Sequence, residues 1–177
     1  MKIFQKRITV IQAWVKKEGD NSLDNILAGT DIEKSFDLLS IDIDSYDWHV
    51  WKSLKNYLPK IVIIEINSCV PVGVYQTHRN HNIQGSSFTS TLELGRDMGY
   101  TLVCHIGNMI FVKKDLVEKL ALPYEELKYP ELLFDYLWIG EQFVPPAPPT
   151  LSPPTHLPIS TRVYKKLTRW LRKFIKC

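Results

Sequence analysis

Two apolar runs that end in acids, one helix apart, constrain this chain more than any other feature. Phe36-Asp-Leu-Leu-Ser-Ile-Asp-Ile-Asp44 ends in Asp42 and Asp44, and Ile61-Val-Ile-Ile-Glu-Ile-Asn67 ends in Glu65 and Asn67. Between them Tyr46 to Tyr57 has helical spacing, with Val50, Trp51, Leu54 and Leu58 on one face and Pro59 as the stop. Strand, helix, strand predicts a right-handed crossover and parallel strands, so both acidic ends point the same way. Ligands bind at that carboxyl edge in open α/β sheets. Alternation along a strand would put Asp42 and Asp44 on one side. With Glu65 and Asn67 they make an all-oxygen set suited to a hard cation, Mg²⁺ or Mn²⁺, or to a proton transfer. The competing reading is local: Asp44 or Ser45 caps the helix and Asp47 sits in its first turn.

A chain of 177 residues suits one domain with a real core. The net charge of +3 is unevenly spread: Arg162, Lys165, Lys166, Arg169, Arg172, Lys173 and Lys176 crowd the C-terminus without one acid. The remainder is mildly acidic, so no nucleic-acid partner is expected. Three cysteines without a CxxC spacing, and no secretory leader pattern, predict reduced thiols in a cytoplasmic compartment. No window approaches the length of a membrane span.

Elsewhere, Ile8–Val15 is β-branched and aromatic and reads as a strand. Ser22 caps a short helix over Leu23 to Ala28, closed by Gly29. Phe36 to Ile43 is apolar on both faces, as a central strand covered on each side would be. Asn67 to Ser86 is a long irregular loop holding His78 and His81. Phe88 to Met98 reads as a helix ended by Gly99, and Tyr100 to Ile106 with Met109 to Val112 as a hairpin turning at Gly107-Asn108. Asp115 opens a short helix, and the aromatic-rich Tyr124–Ile139 stretch packs back on the domain. Seven of eleven prolines fall between Pro145 and Pro158. Residues 145–160 thus read as a semi-rigid linker. In 161–177, Val163, Leu167, Trp170, Leu171, Phe174 and Ile175 face the basic residues across a helical wheel. That helix has three readings: peripheral on an anionic membrane surface, docked on a protein partner, or a solvated tail.

The segments Asp37–Asp44, Asp47-Trp-His-Val-Trp51, Ile63-Ile-Glu-Ile-Asn67, Gly85-Ser-Ser-Phe88, Gly99-Tyr-Thr-Leu-Val103 and Gly107-Asn-Met-Ile-Phe-Val112 follow one another in order. Together they resemble class I S-adenosylmethionine-dependent methyltransferases, and within them the FkbM-like group, over Ile8 to Val112. The resemblance implies that Ile8–Val15 is the third strand, Phe36–Ile43 the fourth, Ile61–Ile66 the fifth and the hairpin the antiparallel last two. It implies methyl transfer from S-adenosylmethionine to an oxygen or nitrogen acceptor, such as a sugar. Asp42, Asp44, Glu65 and Asn67 would line the acceptor or metal side, and His78 is a candidate base.

The family's Gly-rich GxGxG turn, and the strand whose terminal acid grips the cofactor ribose, have no counterpart here. The fold expected for 1–144 is therefore an incomplete Rossmann-like methyltransferase sheet, mostly parallel, lacking its first two strands and closed by an antiparallel hairpin. Without them one side of Phe36–Ile43 is a bare apolar edge. Either Ile8–Val15 slides in beside it, or a complementary polypeptide or second copy fills the gap. Activity by this chain alone would then fail for want of the cofactor loop. The alternative function is a non-catalytic binding module acting through 161–177.

Three further features each have two readings, and a fourth has one. His78 and His81 are a base or metal ligands, or a solvated loop pair; His49 and His105 are structural. Tyr46, Trp48 and Trp51 stack on an adenine or pack the core. Gly85-Ser86-Ser87 holds an anion or simply starts a helix.

Overall fold

A computed structural model describes residues 8–79 and 84–136. His81, the linker 145–160 and the basic segment 161–177 lie outside them. The described chain is α/β, built on a four-stranded mixed sheet in the order β1-β2-β4-β3. In chain order the elements are α1 (Leu23–Ala28), β1 (Leu38–Ile41), α2 (Asp47–Ser53), β2 (Ile61–Glu65), α3 (Phe88–Asp97), β3 (Tyr100–Ile106) and β4 (Asn108–Lys113). A 3₁₀ segment (Lys114–Leu120), α4 (Tyr124–Lys128) and a second 3₁₀ segment (Pro130–Leu133) follow.

The crossover through α2 makes β1 and β2 parallel, in the register Leu38 to Ile61 through Ile41 to Ile64. Strand β4 runs antiparallel to both of its neighbours, β2 and β3. Three strands thus share a direction, but only one of the three ladders is parallel, so the sheet is mixed rather than mostly parallel. The hairpin turns at Gly107, whose φ of 85° is a conformation that glycine adopts without strain.

Alternation along the strands divides the apolar residues between two cores. Leu39, Ile41, Val62, Ile64, Leu102, Met109 and Phe111 face α2 and α3, and meet Trp51, Phe88 and Phe134 there. Ile61, Val103, Cys104, Ile110 and Val112 face the Lys114–Leu120 segment through Val117. A bulge between Leu102 and Cys104 breaks the alternation of β3. Val103 and Cys104 both join the second core, and His105 returns to the first face beside Phe88 and Phe134.

Three expectations from the sequence are corrected. Ile8–Val15 is not a strand: among the described residues it lies in no sheet, and Ile8, Val10 and Trp14 are exposed. It does not slide in beside β1, which stands at the sheet edge with Leu38 and Ser40 exposed, not as a central strand covered on both faces. Its β-branched composition gives it strand propensity, but propensity without an adjacent ladder does not make a strand. Helix α2 ends at Ser53, well before Pro59, and Leu58 is exposed. The cause lies far off in sequence: the Asp24 carboxylate accepts the N–H groups of Lys55 at 2.8 Å and Asn56 at 3.0 Å, drawing them out of the helix.

Local signals elsewhere match the structure. Ser22 Oγ accepts from the Asn25 N–H, and Ser87 Oγ accepts from that of Ser90 at the start of α3. Gly99, at φ 84°, follows the end of α3. Leu133 and Phe134 bring the aromatic-rich stretch back into the first core. Among the described residues no helix is long and apolar enough to cross a membrane.

Candidate functional site

The carboxyl ends of β1 and β2 open into a cleft of about 330 Å³, lined by Asp44, Ser45, Asp47, Glu65, Asn67 and Ser68 among others. Carboxylate oxygens of Asp42, Asp44 and Glu65 lie within 4.8 Å of one another at this edge. The convergence does not come from strand alternation, because β1 stops at Ile41 and Asp42 and Asp44 lie beyond it. A turn does the work. Asp44 takes a left-handed φ of 62°, and the buried Asp47 carboxylate accepts the N–H groups of Ile43 at 2.9 Å and Ser45 at 3.0 Å. Asp residues adopt that conformation more readily than most, because the short carboxylate can bond locally.

Asp47 is the site residue that sequence reasoning underrated. Read as a first-turn helix residue, it both shapes the turn and adds a third negative charge near Glu65. Three acids within six residues were the available signal. The helix begins at Asp47 with Tyr46 as its cap residue and no side-chain cap bond, so neither Asp44 nor Ser45 caps it.

Burial, then the charges of Asp42, Asp47 and Asp44, and a hydrogen bond with Asp42, push the Glu65 carboxyl above its ordinary range. Protonation of Glu65 relieves that repulsion. Folded Glu65 holds its proton to a higher pH than the unfolded chain does. Its contribution to stability is therefore full at low pH and is lost as pH rises from the ordinary carboxylate value through the raised one. Glu65→Gln is expected to stabilise the domain by about 0.5 kcal/mol at pH 7, after solvent screening, and by nothing at pH 4. Urea unfolding of both forms at the two pH values checks this; an equal effect at both would remove the charge explanation.

Asn67 joins the cleft to the long loop. Its Nδ2 donates to the Gln84 carbonyl at 2.9 Å, and its Oδ1 accepts from the Cys69 N–H at 3.1 Å. Gly85 packs so closely that a Cβ there would lie 3.0 Å from Asn67 Cβ, and its φ is +71°. The loop is laced to α3 as well: Ser87 N–H donates to the Gln76 carbonyl, and Gln76 N–H to Ser87 Oγ. Gly85-Ser86-Ser87 thus acts as a helix start.

His78 stands at the cleft margin: its Nδ1 accepts from the Gly85 N–H at 3.2 Å, and its ring lies 4.5 Å from that of Tyr46. His49 Nε2 donates to the His78 carbonyl at 3.0 Å, a structural bond. Trp48 and Trp51 are buried in the first core, with Trp48 Nε1 donating to the Ser90 carbonyl. Core packing accounts for both.

A serine and a histidine also meet beside the cleft, Ser68 Oγ and His105 Nε2 at 3.1 Å. Their hydrogen bonds run the wrong way for nucleophile activation. His105 Nδ1 accepts from the Asp135 N–H at 2.9 Å, so the neutral ring carries its proton on Nε2 and donates to Ser68. The Ser68 hydroxyl in turn donates to the Gly107 carbonyl at 3.3 Å. His105 is structural, as its place in a strand suggested. Cys69 and Cys104 are free thiols, and burial pushes Cys104 up to about 12, leaving it inert.

No protein-family profile, curated protein or solved structure matches this chain.

Proposed function

We propose that this chain is methyltransferase-like, its acidic cleft forming the acceptor side and the cofactor side coming from a further segment or polypeptide. One observation carries the reading: Asp42, Asp44 and Glu65 converge at the carboxyl ends of two parallel strands joined through a helix, where α/β sheets bind their ligands. The strand order supports it, because the closing antiparallel pair is what the resemblance implies. The acceptor is a small hydroxyl- or amine-bearing molecule such as a sugar. The cleft's carboxylates and Asn67 suit its hydrogen-bond donors.

The residues do not fit S-adenosylmethionine by themselves. Among the eight glycines no two are spaced Gly-x-Gly, and among the described residues no strand flanks β1 on the side away from β2. They do fit a hard cation in donor type and spacing. Asp42, Asp44 and Glu65 would hold Mg²⁺ or Mn²⁺, which would polarise an acceptor hydroxyl. Without any ion, Glu65 is suited to take the acceptor proton, since its carboxyl is more basic than an ordinary glutamate. Asp47 keeps the turn closed around the cleft, and His78, tied to Gly85, borders it.

Calorimetric titration of S-adenosylmethionine, with and without Mg²⁺, is expected to give no heat with the folded chain alone. Micromolar binding would overturn the separation of acceptor and cofactor sides. In parallel, Mn²⁺ should broaden amide signals of residues 42–47 and 65–69 first, and Glu65→Gln should weaken this about tenfold. Broadening spread evenly over the surface would sink the cation reading.

A further inference from the structure

Two incomplete pieces of β-structure stand in this chain. The first is the outer edge of β1, which pairs with β2 on one side and with no strand on the other among the described residues. Its second face is open too. Leu38 is 42% exposed and is absent from the core that Ile61, Ile110 and Val112 form on that side of the sheet. Exposed edges of this kind present unpaired N–H and C=O groups and are usually blocked by a charge, a proline or a covering element. Here the edge residues Leu38 to Ile41 include neither charge nor proline.

The second piece is Ile8–Val15. Among the described residues it makes no backbone hydrogen bond, and Val10 and Trp14 are 86% and 81% exposed. Its base is tied down: Val15 packs on the first core, and the Lys16 N–H donates to the Asn21 carbonyl at 2.8 Å. From that anchor the segment leaves its own β1 unpaired. Strand-forming residues that lack a ladder, and a ladder that lacks a strand, are complementary in hydrogen bonding and in apolar surface.

We propose that the outer edge of β1 receives the Ile8–Val15 segment of a second copy of this chain as a fifth strand. The exchange is reciprocal in a twofold dimer, so each edge and each segment is satisfied once. The exposed Leu38 and the exposed side chains of Ile8, Val10 and Trp14 are then covered together. A second copy's segment in that place occupies the edge that a cofactor-bearing polypeptide would otherwise cover, so the dimer and the completed methyltransferase-like sheet exclude one another at β1.

Sedimentation velocity on the full chain from about 5 to about 200 µM should show a concentration-dependent dimer. Ile11→Pro removes a ladder donor from the segment, and Leu38→Lys puts a charge on the edge. Each variant alone should be monomeric over that range while keeping the wild-type circular dichroism. Mixing the two should restore a heterodimer, because one contributes an intact edge and the other an intact segment. In the wild type, amides of residues 8–15 should gain protection from hydrogen exchange only at dimerising concentrations. A wild type that stays monomeric, a dimer that survives both substitutions, or a mixture that stays monomeric would overturn the proposal.

Discussion

Gly95→Ala is expected to destabilise the domain by about 2 kcal/mol, the reverse of what helix propensity dictates. In an exposed helix interior, alanine is better than glycine by about 1 kcal/mol. Gly95 lies within α3, where a Cβ would fall 2.3 Å from Phe111 Cε1 and 2.7 Å from its Cδ1. The ring has little room to give way: Phe111 is fully buried, with the Trp51 ring 4.9 Å from its own. Overpacking of this kind costs about 1–3 kcal/mol, which outweighs the propensity gain. The paired variant Gly95→Ala with Phe111→Leu separates the two effects, since it frees the space while keeping the alanine. Recovery of part of the loss in urea unfolding supports the packing account. A Gly95→Ala domain as stable as wild type would refute it.

Lowering the pH from 7 to 5 should remove roughly 2 kcal/mol of stability through His105 alone. Burial among Phe88, Phe134 and Ser68 lowers its pKa to about 4. The sign follows from the depressed value. The unfolded ring takes up a proton near its ordinary pKa while the folded ring stays neutral, so stability is full above about 6.5 and declines as pH falls toward 4. Protonation would also require Nδ1 to give up the bond it accepts from the Asp135 N–H. Glu65 acts in the opposite direction and with smaller effect. His105→Gln should be less stable at pH 7, because it loses the stack on Phe134, yet show a flatter acid limb. Equal slopes between pH 7 and 5 in the two proteins would remove His105 as the source.

These two effects differ in how far they were legible. A histidine in a strand reads as structural, and His105 is so. Its sidedness depends on the bulge at Leu102–Cys104, which places Val103 and Cys104 together in the second core. No local pattern in Tyr100–Ile106 announces that bulge. Gly95 looks like an ordinary helix residue until Phe111, sixteen positions later, is brought across from β4.

The candidate site divides in the same way. Asp42, Asp44, Glu65 and Asn67 were legible as a group because a strand–helix–strand unit brings two carboxyl ends together. The means of bringing them together was not: a left-handed Asp44 and a buried Asp47 replace the expected alternation. Asp47 was legible as an acid in the first turn of the helix, but not as the group that holds the turn before it.

What the sequence determined by itself rests on short-range physics. Periods of two and 3.6, the Ser22 cap of α1, the Gly85-Ser86-Ser87 helix start and the glycines at 99 and 107 place α1, the start of α2, α3, the two parallel strands and the closing hairpin within a few residues. Tertiary structure decided what needs a distant partner. Asp24 ends α2 from thirty-one positions before Lys55. Ile8–Val15 has strand composition but, among the described residues, no strand beside it. Apolar Leu38–Ile41 becomes an edge because no neighbour lies on its outer side among the described residues. A local pattern fixes which conformations a segment prefers; whether it pairs or stands exposed is set by neighbours that the local pattern does not contain.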